Sequence, residues 1–567
     1  MNISNFNKTK LTNAYGILCG PTPKASDRDA LYPTFCRIPK NEESTRHSHF
    51  EPELFYIMNG TGLMEINDET TEVIQGDLIR IPSFSQHRLK NIGFTDLEFL
   101  SVYSEDFATP LIPLSMTITA APPTPNGPLH LGHISGPYLA SDILARYLRS
   151  KSVQVVNHSG TDDHQNYVSE KAHSLHQDTE NFRQQMRSRI QKGLHEMQIE
   201  FDEFIEPKTD KEYQNKIQKF ATKAISRGVI EKEMVDFPHC KQCDHFLVDS
   251  LIDGNCSSCQ EPSRGNCENC GIVVPPWDLQ NPKCARCGAH SDTQSISVFT
   301  FSLSKYLPLI EKDLKNLSLP VNLQSLVERI SKIKDLKVLV SHPNAGDQGL
   351  TLPGSDQTIH VWFEMAAHYE SFALSKTAWT HCFGFDNSFH YLLFIPSLLR
   401  ALNSEAKLPD AVIANEFLLL DGLKFSTSRR HAIWADEFEG SAEHLRLFLS
   451  LERPAKLQSN FSLKIFQDFS ANLEQKLQQL SHRAKLCEEQ NPTAIYPEAL
   501  IDCHRFTRDM EFFLAPQNFD LRRAARRLFD FMDLTLQNQH QSEKLMLSTL
   551  AGFMAIFMPT EAKRLTP

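Results

Sequence analysis

The chain has 567 residues, 41% of them hydrophobic and 22% charged, with a formal net charge of -11 at pH 7. That length exceeds one hydrophobic core and predicts three or four domains, and the acidic balance excludes attachment to nucleic acid by bulk electrostatics while leaving room for a local basic groove. No run nears the roughly 18 apolar residues of a membrane span, and the opening MNISNFNKTK lacks an apolar signal core, so a cytoplasmic protein without membrane contact is expected.

From about residue 30 to 107 apolar and polar residues alternate between Gly and Pro punctuation, as in FYIMNGTGLMEIND and GDLIRIPSF. That period of two predicts short antiparallel strands and an all-β barrel over residues 1–110. A Pro-containing hinge, ATPLIPLS, leads into MTITAAPPTPNGPLHLGH, a strand, a turn and a helix start. Apolar strands such as VQVVNHSG then alternate with helical stretches, predicting a Rossmann-type parallel α/β domain over 116–435. Eight of the 13 cysteines fall between Cys240 and Cys287 as four CxxC pairs, in an insert of about 232–292. In a reducing compartment this spacing reads as metal binding rather than disulfides. The remainder, 440–567, is helical by pattern: ANLEQKLQQLSHRAKLCEE, LRRAARRLFDFMDLTL and LMLSTLAGFMAIFM.

Within the predicted barrel, His47-Ser-His49-Phe-Glu-Pro-Glu53 is followed by Gly60, and Gly76 by Pro82, His87 and Asn91. The spacing resembles the two cupin motifs, with Phe84 in place of an inner glycine. Residues two apart on a strand share a face, so His47 and His49 are expected to point inward together. The resemblance implies a metal held by His47, His49, Glu53 and His87. Three imidazoles and a carboxylate suit Zn, Fe, Mn or Ni without choosing among them.

Further on, His130-Leu-Gly132-His133 resembles the HIGH signature of class I aminoacyl-tRNA synthetases, with a glycine for close nucleotide approach and a helix start favouring phosphate. Gly384-Phe385-Asp386-Asn387 and Lys424-Phe425-Ser426-Thr427-Ser428 follow in that family's order, the latter resembling its KMSKS loop. The resemblance implies ATP with Mg2+, bound by His130, Gly132, His133, Gly384, Asp386, Asn387 and Lys424. The catalytic set would be His130, His133, Lys424, Ser426 and Ser428. Within class I the methionyl subgroup is closest: Gly160-Thr-Asp162-Asp163-His164 looks like its GTDEHG, and His360-Val-Trp362-Phe-Glu364 with Tyr369 like its VWxDAxxxY. An amino-acid pocket of Thr124, Asp162, Trp362, Ala366, Tyr369 and Tyr391 follows, Asp162 holding the α-ammonium. The subgroup's two-zinc knuckle insert implies one structural zinc on Cys240, Cys243, Cys284 and Cys287 and a second on Cys256, Cys259, Cys267 and Cys270.

Departures from the subgroup are as informative as the matches. Thr427 replaces the loop's second lysine, and Phe385 replaces another cation. Ala121-Pro122-Pro123-Thr124 removes a pocket tyrosine, Ala366 replaces a proline and Tyr391 a histidine. The helical region lacks the PW segment that reads an anticodon, and from Lys456 onward 14 Lys and Arg face 13 Asp and Glu. RRAARR, Arg522 to Arg527, is its one dense basic cluster and reads as a solvated helix face, so tRNA is an unlikely partner.

An adenylating site, a reduced tRNA reader and a metal cupin together resemble the hydrazine synthetases, cupin–methionyl-synthetase fusions that join N6-hydroxylysine to an α-amino acid. The resemblance implies two small-molecule substrates, an amino acid and N6-hydroxylysine, and leaves the oligomeric state unknown. A methionine–tRNA ligase with a regulatory cupin, and a non-catalytic synthetase-like binding protein, stand as alternatives.

Overall fold

The computed structural model describes residues 11–14, 16–20, 31–49, 51–67, 69–82, 85–104, 112–343, 349–425, 431–490, 497–537 and 543–565. Phe84, the first half of the ATPLIPLS hinge, and Ser426, Thr427, Ser428, Arg429 and Arg430 lie outside them. The chain forms two units, Met1–Leu111 and Ile112–Pro567.

In the first unit the predicted alternation becomes inside and outside. Along the strand Glu53–Asn59, Glu53, Phe55 and Ile57 are buried while Leu54 and Tyr56 are exposed. Six antiparallel strands form one sheet, running in space Thr12–Ala14, Ile17–Gly20, Leu31–Ile38, Leu97–Ser104, Glu53–Asn59, Leu78–Ile81. Glu69–Ile74, Thr61–Ile66 and His87–Asn91 form the second. Their inner faces meet in a core that includes Ile38, Ile57, Met64, Leu89, Leu97 and Phe99, a β-sandwich-like barrel. Gly60 turns the chain at φ +95°, and a Cβ there would stand 2.9 Å from the Asp96 carbonyl oxygen, so the position requires glycine. One expectation fails locally: His47 and His49 do not lie on a continuous strand. His47 makes a single bridge to His87, and regular pairing begins only at Glu53, after Pro52, which has no N–H to donate.

The second unit is built on five parallel strands, in spatial order Glu203–Ile205, Gln154–Gly160, Ser115–Ala120, Ala378–Gly384, Ala411–Asn415. The chain runs outward from Ser115–Ala120 to one edge, then returns to continue at Ala378–Gly384. The two central strands therefore flank a switch point, and their carboxyl ends open a crevice there. The two segments that resemble synthetase signatures follow those ends, HLGH after the first strand and Gly384-Phe385-Asp386 after the second. A long antiparallel ribbon, Glu231–Cys240 against Asp292–Ser302, carries the cysteine insert.

Among the described residues the α-helices of the helical region are Ala442–Leu451, Leu463–Gln490, Pro497–Leu514, Leu521–Gln537, Glu543–Phe557 and the short Pro559–Ala562. Leu521–Gln537 buries Leu521, Ala524, Ala525, Leu528 and Phe531 on one side. Arg522, Arg523 and Arg526 face outward, and Arg527 pairs with Asp509 at 2.7 Å, so most of the basic cluster is a solvated face. A fully buried Arg446 ties this region to the α/β sheet layer: it donates to Asp142 at 2.6 Å and to the carbonyls of Met197, Gln198 and Phe557. A buried guanidinium is tolerated only when satisfied in this way. Among the described residues no helix is long and apolar enough to cross a membrane.

Candidate active site and metal centres

Three imidazoles meet inside the first unit. The His47–His87 ring centroids are 4.4 Å apart, His49–His87 5.1 Å and His47–His49 5.5 Å, and one nitrogen from each lies within 4.8 Å of the others. His47 Nδ1 is 2.7 Å from the Thr45 carbonyl and His87 Nδ1 2.9 Å from the Ser85 carbonyl. A carbonyl can only accept, so both Nδ1 atoms carry the proton and both Nε2 atoms present a lone pair rather than an N–H. Glu53 Oε2 completes the group, 3.2 Å from His49 Nε2 and 3.5 Å from His87 Nε2, while its other oxygen accepts from Ser101. Burial penalises the Glu53 carboxylate, but hydrogen bonding, foremost with His49 and also from Ser101, prevails and holds it down to about 2. Buried His87 Nε2 has no hydrogen-bond partner. Imidazole lone pairs converging near a carboxylate form a donor set of the kind that holds a divalent metal.

The eight cysteines fold into two sets of four, Cys240, Cys243, Cys284 and Cys287, and Cys256, Cys259, Cys267 and Cys270. Within them Sγ–Sγ distances include 3.6 Å (Cys240–Cys287), 3.9 Å (Cys243–Cys284), 3.7 Å (Cys256–Cys270) and 3.5 Å (Cys259–Cys267). These are far beyond a disulfide, yet a tetrahedral zinc with Zn–S bonds of about 2.3 Å sets its sulfurs about 3.8 Å apart. Both sets fit structural zinc, in the pairing expected.

A cavity of about 480 Å3 opens at the switch point of the second unit. Its wall includes His130, Gly132, His133, Gly384, Asp386, Asn387 and Lys424, the full set expected for ATP. The helix expected at HLGH is broken into steps. Leu131–His133 gives way to a wide turn, Ile134–Tyr138, where Gly136 leaves helical geometry and Pro137 lacks an N–H, before the regular helix Leu139–Ser150. His130 N–H donates to His133 Nδ1 at 3.2 Å and His133 N–H to His130 Nδ1 at 3.3 Å. Both Nδ1 atoms accept, so each neutral ring carries its proton on Nε2, facing outward as a donor. The rings stack at 3.7 Å, with Phe425 against His130 at 4.8 Å. Enclosure by the cavity wall, then His133's proximity, holds His130 well below the ordinary imidazole range. A Cβ at Gly132 would sit 3.0 Å from the His130 ring and press that ring out of place by a few tenths of an ångström.

At the amino-acid end Thr124 donates to Asp162 at 3.3 Å. Burial first, then the charges of Glu364 and Asp163, push the Asp162 carboxyl well above its usual range. An α-ammonium beside it would reverse that balance. The cavity wall includes Thr124, Asp162, Trp362 and Tyr391 but leaves out Ala366 and Tyr369; both are buried, and the Tyr369 ring packs 5.6 Å from that of Tyr391. Trp362 stacks on His390 at 3.8 Å.

Several wall residues were not anticipated. Arg264, Asn266 and Glu268, all from the knuckle insert, line the cavity. Glu268 pairs with Lys424 at 2.6 Å, and Asn266 donates to the Asp386 carbonyl at 2.8 Å. Behind the pocket, His164 and Glu364 form a buried pair at 2.8 Å. Glu268 lies more than 150 positions before Lys424, and no local spacing marks a contact that the fold alone creates.

Compared with known proteins, residues 116–485 match the family described as tRNA synthetases class I (M), and residues 34–103 match the cupin domain. The methionine–tRNA ligase of Methanococcus aeolicus is 30% identical over 376 residues, 62% of this chain and 55% of that protein. That of Methanobrevibacter smithii is 31% identical over 374 residues, again 62% and 55%. The chain thus spans about half the length of the curated relatives it matches. A solved Mycobacterium tuberculosis methionyl-tRNA synthetase in complex with methionyl-adenylate shares the fold at a TM-score of 0.62 and 16% identity, covering 80% of this chain and 93% of that one.

Proposed function

The chain belongs to the class I tRNA synthetases of the M type, with a cupin domain ahead of them, and from that premise we propose that it is an amino-acid-adenylating ligase that forms an N–N bond. The observation that carries this reading is the convergence of His47, His49, His87 and Glu53 in the barrel of the same chain that holds the His130/His133 cavity.

In the synthetase unit ATP with Mg2+ and an amino acid meet at the switch point. Asp162 holds the α-ammonium, and the carboxylate attacks the α-phosphorus, releasing pyrophosphate. The Nε2–H groups of His130 and His133 donate to phosphate oxygens as negative charge builds, and Lys424 adds a cation once freed from Glu268. In place of a tRNA ribose, the hydroxylamine oxygen of N6-hydroxylysine attacks the adenylate, giving an O-acyl ester and AMP. The amino acid's α-nitrogen then attacks N6: its lone pair forms the N–N bond, the N–O pair leaves with the carboxylate, and one proton is lost from the α-nitrogen. Oxygen bound to nitrogen leaves readily only once acylated, which explains why adenylation precedes bond formation. His47, His49, Glu53 and His87 would hold the barrel's metal, which when bound supplies Lewis acidity toward a carboxylate. The zincs of the two cysteine sets would be structural, since each set is closed by four sulfurs.

The relatives' identity as methionine–tRNA ligases favours a second reading, tRNA charging with an appended cupin. The missing PW segment, the near-neutral helical region and the rebuilt pocket weigh against it. One experiment separates the two: incubation with ATP, N6-hydroxylysine and 15N-labelled amino acids, followed by mass spectrometry for a product with 15N bonded to N6, in parallel with charging of methionine tRNA. Robust charging without a hydrazine product overturns the preferred reading.

A further inference from the structure

The side chain that an adenylating site accepts is decided where its cavity ends, and here the cavity ends on Tyr391. Ala121, Thr124, Asp162, Trp362, Met365 and Tyr391 belong to the wall, while Tyr369 and His381, each only 1% exposed, are not part of it and pack directly against the Tyr391 ring. Tyr391 stands where the subgroup carries the smaller histidine.

The Tyr391 ring is wedged rather than hinged. It meets His381 at 4.4 Å, Phe383 at 5.3 Å, Trp362 at 5.4 Å and Tyr369 at 5.6 Å between centroids. Both phenol rings are buried, and swinging Tyr391 away would open a void against Tyr369 and His381. The backbone beneath is the wide turn Phe389–Phe394, continuous with the helix Ile395–Leu402. The facing wall is equally fixed, because the Trp362 indole lies flat on His390, 6° from parallel. Close-packed rings of this kind yield to a ligand only at the expense of their mutual contacts.

Resting on the adenylation reading, we propose that Tyr391 plugs the side-chain pocket and restricts the activated amino acid to a small side chain, that of glycine, alanine or serine. The α-ammonium sits at Asp162, and the space between Asp162 and the phenol ring is what remains for the side chain. A methionine-sized chain needs the volume that the ring fills. The same small substrate suits the later step, in which the α-nitrogen must reach N6 unhindered by a bulky neighbour.

The test is amino-acid-dependent exchange of labelled pyrophosphate into ATP by the full chain, with each of the twenty standard amino acids in turn. Glycine, alanine or serine should give the highest kcat/KM, with methionine, leucine and phenylalanine at least about tenfold lower, since a single misfitting methylene already discriminates by about 10–200-fold. Tyr391→Ala and Tyr391→His should shift the preference toward longer side chains by about tenfold or more. Because Tyr391 is buried, the wild-type ranking is the arm that depends on no variant. A wild-type preference for a side chain of methionine size or larger overturns the plug while leaving adenylation standing, as does an unchanged ranking in both variants. Exchange with no amino acid at all overturns the adenylation reading, and the plug with it.

Discussion

Two sets of histidines in this chain show how one side chain is given opposite chemistry by its backbone. In the barrel, the Nδ1 atoms of His47 and His87 donate to carbonyls, so Nε2 lone pairs rather than N–H groups converge near Glu53. In the synthetase cavity, the Nδ1 atoms of His130 and His133 accept from amides, so Nε2–H donors face the space where phosphates bind. The first arrangement calls for a cation and the second for an anion. Neither tautomer is written in the side chain; a carbonyl two residues back fixes one, and a reciprocal cap over three residues fixes the other.

The largest test of this contrast removes one member of each set. His87→Ala or His47→Ala should lower the metal content by one ion per chain, measured by elemental analysis, and abolish the hydrazine product. ATP should still be consumed and pyrophosphate released, because these residues lie in a different unit from the adenylate cavity. Hydrazine formation at the wild-type rate in both variants would show that the barrel is not the second catalyst. The converse substitutions, His130→Ala and His133→Ala, should each slow pyrophosphate exchange by about 10²–10³, the usual loss when one preset donor to developing charge is removed. The barrel metal should remain. Near-normal exchange in both would place the phosphate site elsewhere.

The sequence made most of this legible wherever function sits in short, spaced motifs. HLGH, the histidine and glutamate spacing of the barrel, and the four CxxC pairs named residues that the fold then brought together. Three things were not legible, each for a physical reason. The alternation in His-Ser-His reads as a strand, but Pro52 delays regular pairing to Glu53, so the ligands arrive from a loop with a single bridge. Motif alignment placed Ala366 and Tyr369 in the pocket, yet whether a helix residue reaches a cavity depends on how its neighbours pack, and both are buried outside the wall. The Glu268–Lys424 pair joins two distant segments and has no local signal at all.

That pair gives a smaller test, confined to the anion-seeking site. Lys424 rests between Glu268 and the Phe417 ring, 4.2 Å from its centroid, and both charged side chains are about half exposed. A solvent-exposed ion pair is worth about 0–1 kcal/mol, so a triphosphate displaces Glu268 easily. Glu268→Gln should therefore lower KM for ATP by up to about fivefold, with kcat little changed. A raised KM would mean instead that Glu268 itself contacts the nucleotide, or holds its metal.

The smallest effect lies at Asp386, in the wall that His130 and His133 share. Burial first, then the charge of Glu268, pushes its carboxyl from 3.8 up to about 6, against opposing help from backbone amides and Lys424. A folded value above the unfolded one means that its contribution to stability is fully present below about 3.8. That contribution is lost as pH rises through about 6. At pH 8 the ionised group is therefore a net cost, up to about 3 kcal/mol if the shift held in full and nearer 1 kcal/mol for a side chain on an open cavity. Asp386→Asn keeps the shape and removes that cost. Its Tm relative to wild type should be higher at pH 8 than at pH 5 by about 1–2 °C, given the size of the unit, even as ATP binding weakens. This would show a cavity held under electrostatic strain until an ammonium, a magnesium ion or Lys424 arrives, whereas the barrel's Glu53 already accepts from Ser101 and lies 3.2 Å from His49 Nε2. A Tm difference that does not change between the two pH values would mean that Asp386 titrates in the ordinary range. The synthetase wall would then be no more strained than the barrel.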